Sequence, residues 1–361
     1  MEKSETWIPK AADPIRILIQ RPGALGDICR TLPALNCLRR QFPAARLTWL
    51  VYDSWQEILD GHPELDDLIV ARRTGGGSPW ETGLIRELRN QRFEITLDFQ
   101  GTFRSGLLAL LSGCSNRIGF SRSFCREGNH LFNNRHVELP RQPLHRVEKN
   151  LALVRALEVD TRDARPELPD SREAEKSAEE WLRQLVPAGA SVILMIPGAS
   201  RRQSYKRWPP SHFSRLAILL REAGHCPLIA WGPGEERLAI QVEKGSGQAA
   251  RMLPPSGIRQ LAAVIRRSAC IVTGDSGPMH LASALDVPLV ALFGGTDSRL
   301  NAPWSRHYRL LDGSPHPASR ASRKRDASRF LASILPETVA YEVQGLLAEV
   351  SANAKTTPDG G

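Results

Sequence analysis

Long apolar runs are missing from this sequence. The longest, such as Gly106 to Gly113 and Leu289 to Gly294, fall far short of the roughly 20 residues a helix needs to cross a bilayer, so no membrane-spanning helix is expected. The start, Met1-Glu2-Lys3-Ser4-Glu5, lacks the basic-then-apolar order of a secretory signal. Cysteine is sparse and unpaired: residues 29, 37, 114, 125, 226 and 270 form no C-x-x-C and no zinc-ligand spacing. Free thiols and a cytoplasmic location follow as expectations. No G-x-G-x-x-G opens a domain, and neither G-x-x-x-x-G-K-[ST] nor G-x-S-x-G occurs, which removes support from dehydrogenase, P-loop and hydrolase readings. A D-x-D pair that could hold a metal-bound nucleotide sugar is absent too, which favours chemistry without a metal or a cofactor.

What is present is enough chain for two cores: 361 residues, 41% of them apolar, exceed the usual size of one domain. Net charge is +9 with a pI near 9.6, which implies attraction to polyanions. A nucleic-acid partner is disfavoured by the lack of an RRM-type aromatic signature, a zinc finger or a recognition helix. A phosphorylated substrate or an anionic membrane face remains.

Apolar periodicity then orders the chain. Ile15 to Gln20 reads as a buried strand, Arg21 to Gly26 as a loop, and Ile28, Leu32, Leu35 and Leu38 as one helix face. Strands follow at Leu47 to Tyr52, Asp67 to Ala71 and Glu94 to Phe99, with helices at Pro79 to Asn90, Arg104 to Leu111 and His145 to Leu157. Asp160 to Glu175, rich in Pro, Asp, Arg and Glu, reads as a linker. A second series has strands at Val192 to Ile196, Pro227 to Trp231, Cys270 to Thr273 and Leu289 to Phe293, and helices at Pro210 to Ala223 and Ile258 to Arg267. Ser314 to Ser328 is polar and basic, and Pro336 to Val350 is a final helix. Such alternation predicts an α/β chain of two tandem doubly wound parallel sheets. Its ligand loops belong at the carboxyl ends of the strands, in a cleft between two facing domains.

Four loops carry chemistry-bearing residues. Pro22-Gly23-Ala24-Leu25-Gly26-Asp27 joins the first strand to the first helix, where glycines allow close ligand approach and Asp27 can project as a base; a helix-start stabiliser is the other reading of Asp27. Pro197-Gly198-Ala199-Ser200 and Tyr205-Lys206-Arg207-Trp208-Pro209 could make a phosphate clamp, or a polar loop in which Trp208 anchors the next helix. Gly274-Asp275-Ser276-Gly277-Pro278-Met279-His280 runs from strand to helix with free N–H groups suited to phosphate. There Ser276 can donate its hydroxyl, Gly277 admits the ligand, Asp275 orients the turn and His280 lies one turn on; a core histidine and an ordinary capped helix are the alternatives. Asp98-Phe99-Gln100-Gly101 and Trp231-Gly232-Pro233-Gly234-Glu235-Glu236 also follow strands, as ligand loops or as turns.

Taken together, Gly23 to Asp27, Asp98 to Gly101, Tyr205 to Pro209 and Gly274 to His280 resemble glycosyltransferase family 9, the lipopolysaccharide heptosyltransferases. The resemblance runs from Ile15 to about residue 300. It implies the GT-B architecture: an acceptor-binding Rossmann-like domain over 1–175, a nucleotide-sugar domain over 176–335, a crossover helix over 336–352 and a disordered tail over 353–361. It implies heptose transfer from ADP-heptose to the inner core of lipopolysaccharide, with inversion and without a metal. Asp27 then serves as general base and Lys206 neutralises the departing diphosphate. Ser200, Glu236, Asp275, Ser276, Gly277 and His280 line the donor site beside Lys206, while Arg30, Arg104, Arg117 and Lys149 are candidates for the anionic acceptor. Peripheral contact with the cytoplasmic face of the inner membrane goes with such an acceptor. Many relatives carry cysteines where this chain has the Ser- and Arg-rich segment after Ser314, which opens the acceptor to question. Another nucleotide sugar, a glycan or protein acceptor, epimerisation of a UDP-sugar, or a non-catalytic binding module are the competing readings.

Overall fold

A computed structural model of the chain describes residues 8–72, 82–314 and 320–356. The chain divides after Asp170 into two units. The first holds strands β1 (Arg16–Gln20), β2 (Arg46–Tyr52), β3 (Asp67–Ala71), β4 (Ile95–Asp98), β5 (Asn116–Phe120) and β6 (Arg135–Val137). Helices α1 (Leu25–Cys29), α2 (Leu32–Gln41), α3 (Thr82–Asn90), α4 (Phe103–Leu111) and α5 (Arg146–Arg155) alternate with them. The strands pair in parallel in the order β3-β2-β1-β4-β5-β6.

The second unit holds β7 (Val192–Ile196), β8 (Cys226–Ile229), β9 (Arg251–Met252), β10 (Cys270–Gly274), β11 (Leu289–Phe293) and β12 (Tyr308–Asp312). Its helices are α6 (Arg172–Leu185), α7 (Pro210–Glu222), α8 (Glu236–Gly245), α9 (Ile258–Arg266), α10 (Gly277–Ala284), α11 (Ser298–Asn301), α12 (Arg320–Ala332) and α13 (Pro336–Thr356). The sheet order β12-β11-β10-β7-β8-β9 repeats the topology of the first unit. In both sheets the strand order reverses beside the first strand, between β1 and β4 and between β7 and β10. In doubly wound sheets that reversal opens a crevice at the carboxyl ends, where ligands bind.

The central strands are apolar on both faces because helices cover both. Ile17, Leu18, Ile19, Ile193, Leu194 and Met195 are wholly buried, as expected of interior parallel strands. Leu18, Leu50, Leu84, Leu88, Phe93 and Leu108 build one core of the first unit. In the second, Met195, Trp208, Phe213, Leu216, Val272, Leu331 and Val343 join strands to α7, α12 and α13. The last helix, α13, packs on α7, β11 and β12. Among the described residues no helix is long and apolar enough to cross a membrane.

Several boundaries differ from the sequence reading. The single helix expected from Ile28 to Leu38 is two, because Pro33 sits at the start of α2 and has no N–H to continue the preceding turn. Helix α6 begins inside the stretch read as a linker; Ser171 caps it by accepting from Ala174 N. The overlap is the first turn, Arg172 to Glu175, in which Ala174 alone is buried, too short a piece to show an apolar period. Most of the basic segment after Ser314 is helix α12, and α13 continues past residue 352 to Thr356. Residues 79–81 of the expected helix, 315–319, and the tail from 357 lie outside the described residues.

Candidate active site

In the first unit Asp27 lies in the only turn of α1, directly after the β1 loop. It does not cap the helix: the N-cap is Ala24, without a side-chain bond. Its Oδ1 instead accepts from the Arg30 guanidinium at 2.6 Å, while Thr31 Oγ1 donates to its backbone carbonyl at 2.8 Å. Burial alone would raise the Asp27 carboxyl, but the charges of Arg21 and Arg30 and the Arg30 bond outweigh it and hold it at about 2. Asp27 is therefore an anion with a third of its side chain open to solvent.

Arg21, at the end of β1, supplies much of that field from a buried position. Burial pulls its own pKa down to about 10. Its guanidinium donates to Asn150 Oδ1 at 3.2 Å and Gln100 Oε1 at 3.5 Å, while Trp49 Nε1 donates to its carbonyl. Asn150 of α5 then donates to Arg30 O and Thr31 Oγ1, so one amide ties the loops around Asp27 together.

Asp98 ends β4 and is wholly buried. It accepts from the N–H groups of Gln100 and Gly101, from Ser105 Oγ and from Asn129 Nδ2. Burial nonetheless pushes its carboxyl up. Gly101 has φ +65°, a conformation glycine adopts without strain. The Asp98 to Gly101 segment is thus a built turn that presents Gln100 to Arg21 and starts α4.

Arg104, on the first turn of α4, donates to Tyr52 Oη and lies over the Tyr52 ring. Lys149 of α5 donates to Phe124 O at 2.7 Å and sits 4.2 Å from the Phe120 ring centroid. Burial, reinforced by Arg146, Arg21 and Arg126, lowers its pKa to about 8. These groups make the carboxyl end of this sheet strongly cationic.

In the second unit the loops after β7 and β10 meet. Lys206 Nζ lies 2.8 Å from Asp275 Oδ2 and 3.3 Å from the Asp275 carbonyl. Thr296 Oγ1 donates to the same Oδ2 at 2.7 Å, and His280 Nε2 stands 3.5 Å from Oδ1. Burial would raise the Asp275 carboxyl, but the His280 bond and the Lys206 charge hold it far below the usual carboxylate range. Ser276 is the N-cap of α10 but makes no side-chain capping bond; its hydroxyl faces Thr273 Oγ1 at 3.3 Å. An N-terminus left uncapped by side chains, beside a lysine, has the electrostatics of a phosphate site.

Beside it, Glu235 folds back on its own turn, accepting from Gly232 N at 3.0 Å, with Arg207 at 3.5 Å. A Cβ on Gly198 would overlap the Glu235 carboxylate, so the carboxylate keeps its place against the Gly198 loop only while that position carries no side chain. Trp208 is buried and donates to Ile334 O at 3.0 Å, the anchoring role open in the sequence.

A glycosyltransferase family 9 (heptosyltransferase) model matches residues 82–329. The chain belongs to that family. This glycosyltransferase is 25% identical to the lipopolysaccharide core heptosyltransferase OpsX of Haemophilus influenzae, covering 81% of this chain and 82% of the relative. It is 28% identical to lipopolysaccharide heptosyltransferase 1 of Pseudomonas aeruginosa, covering 86% and 87%. Among solved structures, a family 9 glycosyl transferase from Veillonella parvula superposes with a TM-score of 0.78 at 22% identity, over 94% of this chain and all but 1% of that one. The Escherichia coli ADP-heptose heptosyltransferase II gives 0.74 at 22% identity, over 93% of this chain and 100% of the other. At these identities the structures establish the fold, the GT-B class with its two doubly wound units.

On the family frame the expected residues separate. Asp27, Arg30, Arg104 and Lys149 follow the carboxyl ends of strands or sit on helices beside them. Arg117 does not join them: it lies near the amino-terminal end of β5, where its guanidinium donates to Cys114 O and Phe132 O. That position braces a turn at the opposite end of the sheet from the crevice. Lys206, Asp275, Ser276, Gly277 and His280 assemble around the start of α10, and Ser200 stays exposed at the head of the Lys206 segment. Glu236 opens α8 with its side chain in solvent, whereas Glu235 enters the loop network. Sequence reading passed over Arg21, Asn150 and Thr296, each of which acts on a neighbour distant in sequence. Arg21 left one trace, as the first charge after the β1 apolar run.

Proposed function

We propose that this glycosyltransferase moves heptose from ADP-heptose onto the inner core of lipopolysaccharide, with inversion at the anomeric carbon. One observation carries the reading: an ionised carboxylate and an ammonium group stand at corresponding crevices of the two units. Asp27 takes the acceptor hydroxyl proton as that oxygen attacks. Held at about 2, Asp27 is fully ionised but weakly basic. An acceptor phosphate or carboxylate that draws Arg30 away raises its proton affinity when transfer begins. The relatives named as lipopolysaccharide heptosyltransferases, together with Arg104 on α4 and Lys149 on α5 in the same unit as Asp27, support an anionic core acceptor.

On the donor side, the diphosphate fits the N-terminus of α10 with Ser276 and Gly277, and Lys206 meets the charge growing on the departing ADP. Positive charge supplied in this way makes a metal ion dispensable, and transfer is expected to persist in excess chelator. The net charge of +9 draws the protein to the anionic cytoplasmic face where such an acceptor resides; sedimentation with anionic vesicles, reversed by salt, tests this.

The decisive experiment is ADP release from ADP-heptose with a heptose-deficient lipopolysaccharide acceptor, comparing native protein with Asp27→Ala at matched folding. Acceptor-dependent release, lost in the variant, is the expected result. Release unaffected by the variant overturns Asp27 as base, and no release from either protein points to another donor or to binding without catalysis.

A further inference from the structure

Three segments of the second unit, two loops and a helix, meet at the Asp275 carboxylate. Lys206 arrives from the segment after β7, His280 from α10, and Thr296 from the turn between β11 and α11. Lys206 and His280 belong to the donor site proposed above, whereas Thr296 has so far been given no part. Its hydroxyl nonetheless makes the shortest bond in the cluster, 2.7 Å to Asp275 Oδ2, the same oxygen that Lys206 approaches at 2.8 Å.

The turn that carries Thr296 is tightly packed. A Cβ on Gly295 would press on the Tyr205 ring at 3.0 Å, and one on Gly294 would meet Leu331 at 2.9 Å. Tyr205 is the immediate neighbour of Lys206, and Ala327 of α12 would meet the same Cβ on Gly295 at 3.2 Å. The two glycines thus let the Thr296 turn lie directly against the Lys206 segment and α12, so the hydroxyl is held in place by its backbone.

Lysine has three N–H groups, and Lys206 directs two of its contacts to Asp275. Without the Thr296 hydroxyl, the longer His280 contact, 3.5 Å from Oδ1, would be left to resist the turning of the carboxylate toward the ammonium. Thr296 occupies part of that oxygen's acceptor capacity and fixes the carboxylate plane, while His280 faces the other oxygen. We propose that Thr296 is a positioning residue for Lys206: by holding Asp275 in one orientation, it keeps the ammonium group presented to the departing diphosphate. The inference rests on the role given to Lys206 under the proposed function.

The test is steady-state kinetics of acceptor-dependent ADP release for Thr296→Val, Thr296→Ser, Lys206→Met and the Thr296→Val/Lys206→Met pair, at matched melting temperature. Thr296→Val is expected to lower kcat about tenfold, the scale of one lost bond to a charged group, with KM for the donor changed by less than about threefold. Thr296→Ser restores kcat, and in the Lys206→Met background Thr296→Val has no further effect, the signature of coupled residues. Native kinetics for Thr296→Val beside a crippled Lys206→Met overturns the positioning role and leaves the donor site standing. A loss that serine does not rescue, or that adds to Lys206→Met, also overturns it, since a purely structural role behaves that way. Native kinetics for Lys206→Met removes the reading on which the inference rests.

Discussion

Asp27 and Lys149 show how far a side chain's chemistry is set by its folded surroundings: burial acts on both, together with cations three residues away, Arg30 and Arg146, and others from further along the chain, Arg21 and Arg126. The carboxyl of Asp27 is held at about 2, below its ordinary 3.8. A depressed carboxylate binds its proton less well in the folded than in the unfolded chain. Its contribution to stability is therefore complete above about pH 4 and is lost as pH falls from there to about 2. Asp27→Asn should remove that part of the acid sensitivity, measured as melting temperature against pH. Lys149 is displaced the other way, to about 8 by burial and neighbouring cations, so its charge is present below pH 8 and lost above. The acceptor KM is expected to rise between pH 7 and pH 9, and the rise to flatten in Lys149→Met. A rise of equal size in that variant would remove Lys149 from acceptor binding.

The loops after β1, β4, β7 and β10 were legible as candidates because each combines an apolar strand with a small-residue turn. Which of their residues do what was not. Asp98 reads in sequence as part of either a ligand loop or a turn; four donors converge on it, and it organises a turn. Trp208 resolved as an anchor for the same kind of reason, its indole finding Ile334 O across 126 positions. Gly198 and Glu235 form a pair that neither position announces alone. Gly198→Ala is expected to displace the Glu235 carboxylate and raise the donor KM about tenfold, equivalent to ~1.4 kcal/mol of binding, with a smaller change in kcat. An unchanged donor KM would mean that this loop pair lies outside the nucleotide site.

Both units close their own sheet and core within their own stretch of chain. All pairings of the first six strands fall before Asp170, as does the cluster from Leu18 to Cys114. The fragment 1–170 is accordingly expected to fold by itself, with helical and strand signals in circular dichroism and a cooperative melt. A non-cooperative melt would mean that the first unit depends on the second for its stability.

Apolar strands alternating with amphipathic helices determined, without any structure, that this is a tandem doubly wound α/β chain, because buried parallel strands must be hydrophobic on both faces. Motif order determined the family as well, since backbone turns and phosphate contacts demand particular small and charged residues at fixed local spacing. Hydrogen bonds and charge fields between distant segments have no local signature, and so the sequence was silent on them. Folding alone set Arg21 and Arg30 against Asp27, bound Arg117 into a turn at the wrong end of its sheet for the crevice, turned Glu235 inward while Glu236 faces solvent, and joined Thr296 to Lys206 through Asp275. The contacts of Arg21, Lys206 and Thr296 join segments that approach one another only after the strands have paired, whereas those of Arg30, Arg117 and Glu235 include partners three residues away, where residue type alone does not say which side chain turns inward.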